Sequence, residues 1–171
     1  MSFVYTQPYI VVGAFIVRDG KILLVKENHL PDKGKWNIPA GKLDYGEDPA
    51  SAAAREAFEE SGLAFTPTAI LGLHSVLRHD VPGSNPDTHV IRIVYLGEVN
   101  GDTTTANSGI VDGQLEIAEC MWVTPEELLQ MDISLIRYHD LKDYVRDYLQ
   151  GVAYPLQLIP HTVQNKISNS N

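Results

Sequence analysis

Cysteine is nearly absent from this chain of 171 residues, which carries a single one, Cys120. One cysteine forms neither an intramolecular disulfide nor a cysteine-based zinc site. Cys120 lies in an apolar strand pattern, so we expect a buried residue without a chemical role. No apolar run reaches the roughly 20 residues that a membrane-spanning helix needs, and the N-terminus lacks the pattern of a secretory signal. We therefore expect a cytoplasmic protein that does not bind a membrane.

Positive charge is also scarce. The chain has 22 acidic side chains against 13 lysines and arginines, which gives a net charge of −9. Non-specific binding to nucleic acid or to anionic lipid needs a positive surface, so we expect no nucleic-acid partner. A phosphorylated small molecule stays compatible with this charge, because a bound metal and a few local cations can contact it. The length fits one domain, assigned to residues 1–165, and a polar tail over 166–171 that we expect to be disordered.

Apolar periodicity predicts a strand-rich chain with a few helices. Two apolar runs, Tyr9 to Val17 and Lys21 to Lys26, flank Asp19-Gly20, which is typical of a hairpin. The run from Ala64 to Leu77 reads as a broken strand. Leu135 to Leu149 has helical spacing, with Gly151 as its stop. Strands flanked by helices predict an α/β or α+β sandwich.

The most informative helix is predicted between Asp48-Pro49 and Gly62. An Asp followed by Pro is a favourable helix start, and Gly is a common stop. On one face we expect a buried stripe that packs on a sheet: Ala50, Ala53, Ala54, Ala57 and Phe58.

Three carboxylates on this helix, Glu56, Glu59 and Glu60, have i, i+3 and i+4 spacing and share a face, which we expect to lie roughly opposite the alanine stripe. Like charges at these spacings repel one another by a few tenths of a kcal/mol, whereas a divalent cation bound between them would reverse the sign. Mg²⁺ prefers carboxylate and phosphate oxygens. The cluster therefore predicts a metal site for phosphate chemistry. A solvated acidic face is the alternative that the residues alone leave open.

The spacing of a longer motif decides between these two interpretations. Gly41, Glu47, Arg55-Glu56, Glu59-Glu60 and Gly62-Leu63 fall at the positions of the pattern G-x5-E-x7-R-E-U-x-E-E-x-G-U, in which U is bulky and aliphatic. Ala57 is the one soft match. This pattern is the Nudix box, and the chain is identified as a member of the Nudix family by this resemblance, which extends over residues 8 to 160.

The resemblance implies a Nudix α/β/α fold with a mixed sheet and a loop–helix–loop motif. It also implies metal-dependent hydrolysis of a diphosphate linkage in a small molecule, with Mg²⁺ as the cofactor and Mn²⁺ as a substitute. The implied metal ligands are the carbonyl of Gly41 and the carboxylates of Glu56, Glu59 and Glu60. Arg55 is expected to orient a carboxylate. Dimers are common in the family, so a homodimer stays open.

Other site residues are less determined. The catalytic base is either a box glutamate or Glu116, which resembles the acid before the closing Trp122 strand. Glu119 is a weaker candidate, because strand alternation turns it to the opposite face. Glu47 would support the metal network or a second ion through water, and we assign it to substrate binding. We also assign Trp36 and Pro39 to substrate binding, and four rings are candidates for stacking on a substrate ring or for the core: Trp36, Phe65, Tyr95 and Tyr138.

Two further motifs bear on the substrate. Trp36-Asn37-x-Pro39-Ala40-Gly41-x-Leu43 and Tyr154-Pro155-Leu156-x-x-Ile159 resemble segments of the NudJ phosphatase group within the family. That resemblance implies nucleoside di- and triphosphates or thiamine-pathway pyrophosphates. Alternatives are ADP-ribose or nucleotide sugars and dinucleoside polyphosphates, although the subgroup markers expected at His79 and Val81 are missing. A nucleotide sensor without catalysis is the alternative of a different class.

Overall fold

The computed structural model describes residues 8–79, 87–104, 109–111 and 114–160. The predicted tail over 166–171 lies outside these ranges. The strands and helices of the protein, in chain order, are β1 Tyr9–Arg18, β2 Lys21–Glu27, β3 Trp36–Asn37, β4 Ala40–Lys42, α1 Pro49–Ser61, β5 Ala64–His79, β6 Asp87–Asn100, β7 Ile110–Val111, β8 Gln114–Leu115, β9 Ile117–Val123, α2 Pro125–Gln130 and α3 Leu141–Leu149. Short 3₁₀ turns occupy Ile133–Leu135 and Leu156–Leu158. None of the helices in the described ranges is long and apolar enough to cross a membrane.

One mixed sheet organises the fold. Its strands follow the order β3-β2-β1-β6-β5, while β4 also pairs with β1 and β9 with β2. β1 and β6 run parallel, whereas β1 pairs antiparallel with β2 and β4. The predicted hairpin is confirmed: β1 and β2 meet at Asp19 and Gly20, whose φ angles are 51° and 73°. Both lie in the left-handed region that this turn requires.

Helices cover both faces of the sheet. Phe15 of β1 belongs to a core cluster with Leu128 of α2 and Tyr144 of α3. The neighbouring Ala14 and Ile16 point to the other face and pack in a second cluster that contains the alanines of α1. Because successive strand residues alternate between faces, a strand buried on both sides reads as a continuous apolar run. The predicted α/β/α sandwich is confirmed.

The face that α1 buries differs from the prediction. Ala52, Ala53 and Ala57 are fully buried, but Phe58 is 49% exposed and does not pack on the sheet. Two residues advance a helix by roughly 200°, so burying Glu56 turns Phe58 outward. The acids and the alanines therefore share part of one buried face, and the expected separation between them was wrong.

Two other elements also depart from the sequence pattern. The broken run from Ala64 is one continuous strand, β5, in which the pairing with β6 shifts between Pro67 and Ala69 and again between Ile70 and Gly72. Such irregularities interrupt the alternation of side chains without ending the strand. The helix predicted from Leu135 begins only at Leu141, because a 3₁₀ turn and an irregular segment precede it. Its expected stop, Gly151, has a left-handed φ of 74°.

The segment after α3 returns to the sheet. Tyr154 and Ile70 exchange two backbone hydrogen bonds, with N···O distances of 2.9 and 2.8 Å. Leu156 and Ile159 then pack against the cluster beneath α1. The Tyr-Pro-Leu-x-x-Ile motif thus has a packing role.

Gly97 tests how tightly β5 and β6 pack. A Cβ at this position would lie 2.2 Å from the carbonyl oxygen of Thr66 and 2.6 Å from the Phe65 ring. Since the backbone cannot give way, we expect Gly97→Ala to lower the free energy of unfolding by about 1–3 kcal/mol. Urea unfolding measures this, with Thr68→Ala at an exposed position as the control. Equal urea midpoints for Gly97→Ala and the wild type would contradict the close packing of β5 and β6 at Gly97.

Candidate active site

The helix that carries the glutamates is fixed at both ends. Oδ2 of Asp48 accepts a hydrogen bond from the Ser51 N–H at 3.0 Å, and Pro49 occupies the first turn. At the other end, Gly62 adopts a φ of 75° and its N–H donates to the Phe58 carbonyl at 2.8 Å. Both caps match the sequence prediction. They set the helical phase that turns Glu56 and Glu60 inward.

A cavity of about 370 Å³ opens between α1, β4 and the chain that follows α2. Carboxylates from distant parts of the sequence meet there with two arginines, a lysine and an amide. The lining residues are Tyr9, Val11, Asn37, Ala40, Gly41, Lys42, Asp44, Arg55, Glu56, Glu59, Glu60, Glu116, Arg137 and Tyr138.

Glu60 is the most buried acid of this site. The residue is 5% exposed, and its Oε2 accepts a hydrogen bond from the Ala40 N–H at 2.9 Å. Burial raises the pKa of Glu60 well above its ordinary value, and the charge of Glu27 adds to this, while the Ala40 N–H acts in the opposite direction. A buried carboxylate is costly unless it is paired or coordinates a metal. An oxygen-preferring cation would stabilise its charged form.

The nearby thiol of Cys120 is half-buried, less than expected. Its Sγ lies 3.8 Å from the Glu60 carbonyl oxygen. Burial, followed by the charge of Glu60, raises the pKa of Cys120 to about 11. The thiol therefore stays protonated near neutral pH and takes no part in the chemistry as a thiolate.

Gly41 provides the space in which the Glu56 carboxylate lies. A Cβ at position 41 would be 2.2 Å from both Cδ and Oε1 of Glu56, so any side chain there would displace the carboxylate. Burial raises the pKa of Glu56, against the opposing hydrogen bond and charge of Arg55. The glycine requirement at this position of the motif therefore has a local steric cause.

Arg55 joins three of the acids. Its Nε and Nη2 donate to the two carboxylate oxygens of Glu47 at 2.9 and 3.0 Å. Its Nη1 donates to Oε1 of Glu56 at 2.7 Å and to Oε2 of Glu59 at 3.1 Å. These contacts, led by the hydrogen bonds with Glu47, raise the pKa of Arg55 above its ordinary value. They give Arg55 the orienting geometry that the sequence led us to expect.

Glu59 and Glu47 occupy less buried positions. The Glu59 side chain is 45% exposed and reaches the cavity at its rim. Both oxygens of Glu47 are engaged by Arg55, which lowers the pKa of Glu47. Glu47 does not line the cavity. Glu47 therefore holds Arg55 in place. Contact between Glu47 and a substrate stays a prediction.

The donor set fits a hard divalent cation. Glu56, Glu59 and Glu60 offer carboxylate oxygens, the ligands that such ions prefer, and the Gly41 backbone lies against Glu56. Within the described residues, no group of three His, Cys, Asp or Glu side chains is close enough to enclose an ion as the side chains stand. Glu56 and Glu59 are instead held by Arg55, and Glu60 by Ala40.

Glu116 lies on the same cavity wall although it is remote in sequence. It follows β8, its N–H donates to the Gly109 carbonyl at 2.7 Å, and it is exposed. Its negative charge contributes to the raised pKa values of Glu56 and Glu60. Glu119 is placed elsewhere and pairs with Lys26 at 3.2 Å. Strand alternation thus separates the two acids, while the catalytic role of Glu116 stays a prediction.

Two residues assigned to substrate binding do not line the cavity. Trp36 is only 8% exposed and packs in the core, with Nζ of Lys26 5.1 Å from its ring centre. Pro39 is buried, and its carbonyl accepts a hydrogen bond from the Ala14 N–H at 2.9 Å. Both residues therefore hold the strands that border the site. Of the four candidate rings for stacking, Tyr138 alone lines this cavity.

Two polar residues of the wall, Asn37 and Arg137, were missed by sequence reasoning. The sequence could have indicated Asn37, because a polar residue stands there between the buried apolar residues Trp36 and Ile38. Arg137 carried none, because only a tertiary contact, its N–H donating to the Trp36 carbonyl at 2.9 Å, brings it to the site.

The comparisons with known proteins indicate a hydrolase that acts on pyrophosphate bonds, and the fold and this acid-rich cavity fit that class. A family model described as the NUDIX domain matches residues 8–143, so the chain belongs to the NUDIX family. Phosphatase NudJ of Escherichia coli strain K12 is 31% identical over 153 residues, which cover 90% of this chain and 91% of that protein.

Solved structures give the same result. A NUDIX hydrolase from Nitrosomonas europaea superposes with a TM-score of 0.73 at 29% identity, covering 91% of this chain and 98% of the other. The MutT protein from Methanosarcina mazei Go1 gives a TM-score of 0.68 at 26% identity, covering 86% and 98%. The similarity therefore extends over nearly the whole fold.

The raised pKa values of Glu56 and Glu60 predict how the stability of the ion-free protein depends on pH. Both groups bind a proton more tightly in the folded than in the unfolded protein. Their contribution to stability is therefore full below the ordinary carboxyl pKa and is lost as the pH rises through the raised values. In EDTA, we expect Glu60→Gln to gain stability relative to wild type as the pH rises from about 5 to about 8.

Urea unfolding at both pH values measures this difference, and Glu119→Gln at an exposed ion pair is the matched control. Mg²⁺ should raise the stability of the wild type most at the higher pH, because the ion replaces the proton. If the free energy of unfolding of Glu60→Gln differed from that of the wild type by the same amount at every pH, the raised pKa of Glu60 would be contradicted.

Proposed function

We propose that this chain hydrolyses a phosphoanhydride bond in a small nucleotide or pyrophosphate compound, with Mg²⁺ as its metal and water as the nucleophile. One observation carries this proposal. Glu116 and the three glutamates of α1, which lie far from it in sequence, share one cavity whose shape depends on the lack of a side chain at Gly41. Glu56, Glu59, Glu60 and the Gly41 carbonyl would hold the ion. When bound, it supplies positive charge for the phosphoryl oxygens.

The residues divide between positioning and proton transfer. Arg55 is anchored by Glu47 and hydrogen-bonds both Glu56 and Glu59, so it keeps these candidate ligands beside the same cavity. Within the described part of the chain, the Glu116 side chain has neither a hydrogen bond nor an ion pair with another residue. It is thereby available to take the proton of the attacking water. We therefore favour Glu116 over a box glutamate as the general base.

The substrate we propose is a compact pyrophosphate, namely a nucleoside di- or triphosphate or a thiamine-pathway pyrophosphate that loses its terminal phosphate. The similarity to Phosphatase NudJ supports this choice. The cavity of about 370 Å³ lies at the small end of the range for ligand pockets. Mn²⁺ is expected to substitute for Mg²⁺, because both accept oxygen ligands. Nucleic acid and membranes are not proposed as partners.

A panel of substrates tests the function and identifies its class. It contains nucleoside di- and triphosphates, thiamine diphosphate, ADP-ribose and diadenosine polyphosphates, each with Mg²⁺, Mn²⁺ or EDTA. We expect metal-dependent release of orthophosphate from the short pyrophosphates. In the same assay, Glu60→Gln should reduce turnover at least 100-fold (about 2.7 kcal/mol), with an unchanged circular dichroism spectrum. Near-normal turnover would overturn the proposed metal site.

The outcomes of the panel separate the alternatives. Cleavage confined to ADP-ribose or to dinucleoside polyphosphates would replace the proposed substrate and leave the hydrolase intact. Binding of nucleotides without any turnover would favour a sensor.

The base is tested by a pair of matched variants. Glu116 and Glu119 are both exposed acids, but only Glu116 lines the cavity. We expect Glu116→Gln to lower kcat by about 10²–10⁴-fold, the usual contribution of a general base, at an unchanged Mg²⁺ concentration for half-maximal activity. Glu119→Gln should leave kcat unaltered. If both variants keep wild-type kcat, Glu116 is not the base.

A further inference from the structure

The proposed base, Glu116, stands at the end of a short ribbon of two strands. These strands, β7 and β8, form a two-stranded sheet of their own, separate from the mixed sheet. Glu116 follows β8 directly and lines the cavity. An isolated two-stranded hairpin is at best marginally stable in water. Contacts from outside the ribbon therefore have to hold Glu116 in its place.

Asn28, the first residue after β2, supplies two of these contacts. Its backbone N–H donates to the Glu116 carbonyl at 3.0 Å, which extends the pairing of β2 with β9 by one residue beyond Glu27 and Ile117. Any residue except proline could form this bond. The side-chain Nδ2 of Asn28 donates to the Leu115 carbonyl at 2.8 Å in a half-buried environment. This second bond depends on the amide, so it gives the residue type at position 28 a specific task.

His29 contacts the same carbonyl. Its Nε2 lies 3.1 Å from the Leu115 oxygen and donates to it in the tautomer that carries the proton on Nε2. A carbonyl oxygen has two lone pairs, so it can accept from both side chains. Farther along the loop, Nζ of Lys33 lies 3.5 Å from Oε1 of Gln114, which is an exposed contact between two side chains. Asn28 and His29 thus fix the backbone of the ribbon, whereas Lys33 touches only a side chain.

The loop that carries these donors is closed on itself and anchored. The Glu27 N–H donates to the Lys35 carbonyl at 2.9 Å, and the Gly34 N–H donates to the Glu27 carbonyl at 2.8 Å. Asp32 is 2% exposed and accepts hydrogen bonds from Nζ of Lys35 at 3.1 Å and from Nε of Arg137 at 3.0 Å. Because the loop is tied to its surroundings at several points, its two donors have fixed positions.

The position of Glu116 matters because a general base acts only within hydrogen-bond reach of the proton that it takes. A displacement of about 1 Å can lower a rate by about 100-fold. Within the described part of the chain, no hydrogen bond or ion pair orients the Glu116 side chain, so its place is set through the backbone. Asn28 does not belong to the described cavity wall. Its amide can therefore influence the reaction only through the segment that it holds.

We propose that Asn28 is a positioning residue whose side-chain amide holds the Leu115 carbonyl and thereby sets the place of the Glu116 carboxylate in the cavity. His29 is the second donor of this attachment. The inference rests on the proposed function, because it names what positions the proposed base.

Kinetics of a double-mutant cycle test the coupling to Glu116. Asn28→Leu removes the donor without adding charge or much volume, and we expect it to lower kcat about tenfold. The KM and the Mg²⁺ concentration for half-maximal activity should stay as in the wild type. In the Glu116→Gln background the same substitution should have no further effect on kcat, because the residue that it positions is already inactive. Lys33→Ala, on the same loop, is the control and should keep wild-type kcat.

Amide hydrogen exchange tests the attachment without any hydrolysis. The Glu116 N–H donates to the Gly109 carbonyl at 2.7 Å and reports whether the ribbon is in place. By NMR, we expect this amide to exchange about fivefold faster or more in Asn28→Leu, the factor that corresponds to one hydrogen bond of ordinary strength. The Ala14 N–H, which donates to the Pro39 carbonyl inside the sheet, should exchange as in the wild type. Lys33→Ala should change neither amide.

Two results would overturn the inference. The first is an unchanged kcat or an unchanged exchange of the Glu116 amide in Asn28→Leu. The second is an equal loss of kcat with and without Glu116, which means general damage to the enzyme. Asn28→Ala, which introduces no clash, takes the place of Asn28→Leu if that variant does not fold.

Failure of the proposed base is seen separately, as wild-type kcat in Glu116→Gln alone. The exchange of the Glu116 amide would still decide whether Asn28 holds the ribbon.

Discussion

The site depends on one cation, Arg55, that holds three glutamates together. Glu47, Glu56 and Glu59 are each hydrogen-bonded to its guanidinium. Without it, like charges on adjacent turns would repel and the partly buried Glu56 would lack a counter-charge. Arginine suits this position because its planar fork offers five donors in fixed directions and keeps its charge when buried. The helix can thus carry a dense acidic face.

Close approach of α1 to the sheet is the second condition for the site. Alanines at positions 52, 53 and 57 let the helix pack near the strands, and small residues on β4 meet it. At this distance the Ala40 N–H reaches Glu60, and the empty space beside Gly41 receives Glu56. Larger residues would separate helix and strand and would expose the acids to water. The same contact buries the carboxylates of Glu56 and Glu60 and raises their pKa values.

How much the sequence predicted can be judged from particular residues. The caps Asp48 and Gly62 were predictable because capping is local chemistry. Phe58 was misplaced because the periodicity of small alanines does not fix which part of an apolar arc faces the sheet; the burial of Glu56 does. The β5 strand looked broken because register shifts are visible only against the partner strand β6. Trp36 was assigned to substrate from its motif, yet it packs in the core.

The sequence by itself determined the chemistry of the site. The residue types and their spacing from Gly41 to Leu63 specify the carboxylates, the arginine and the helix ends, because all of these act within a few turns of one another. Only the tertiary structure decided what surrounds them. Glu116 reaches the cavity from the end of β8, Asn37 from a two-residue strand, and Arg137 from the chain beyond α2. Their meeting depends on strand pairing and on contacts between distant segments, and no local pattern encodes such contacts.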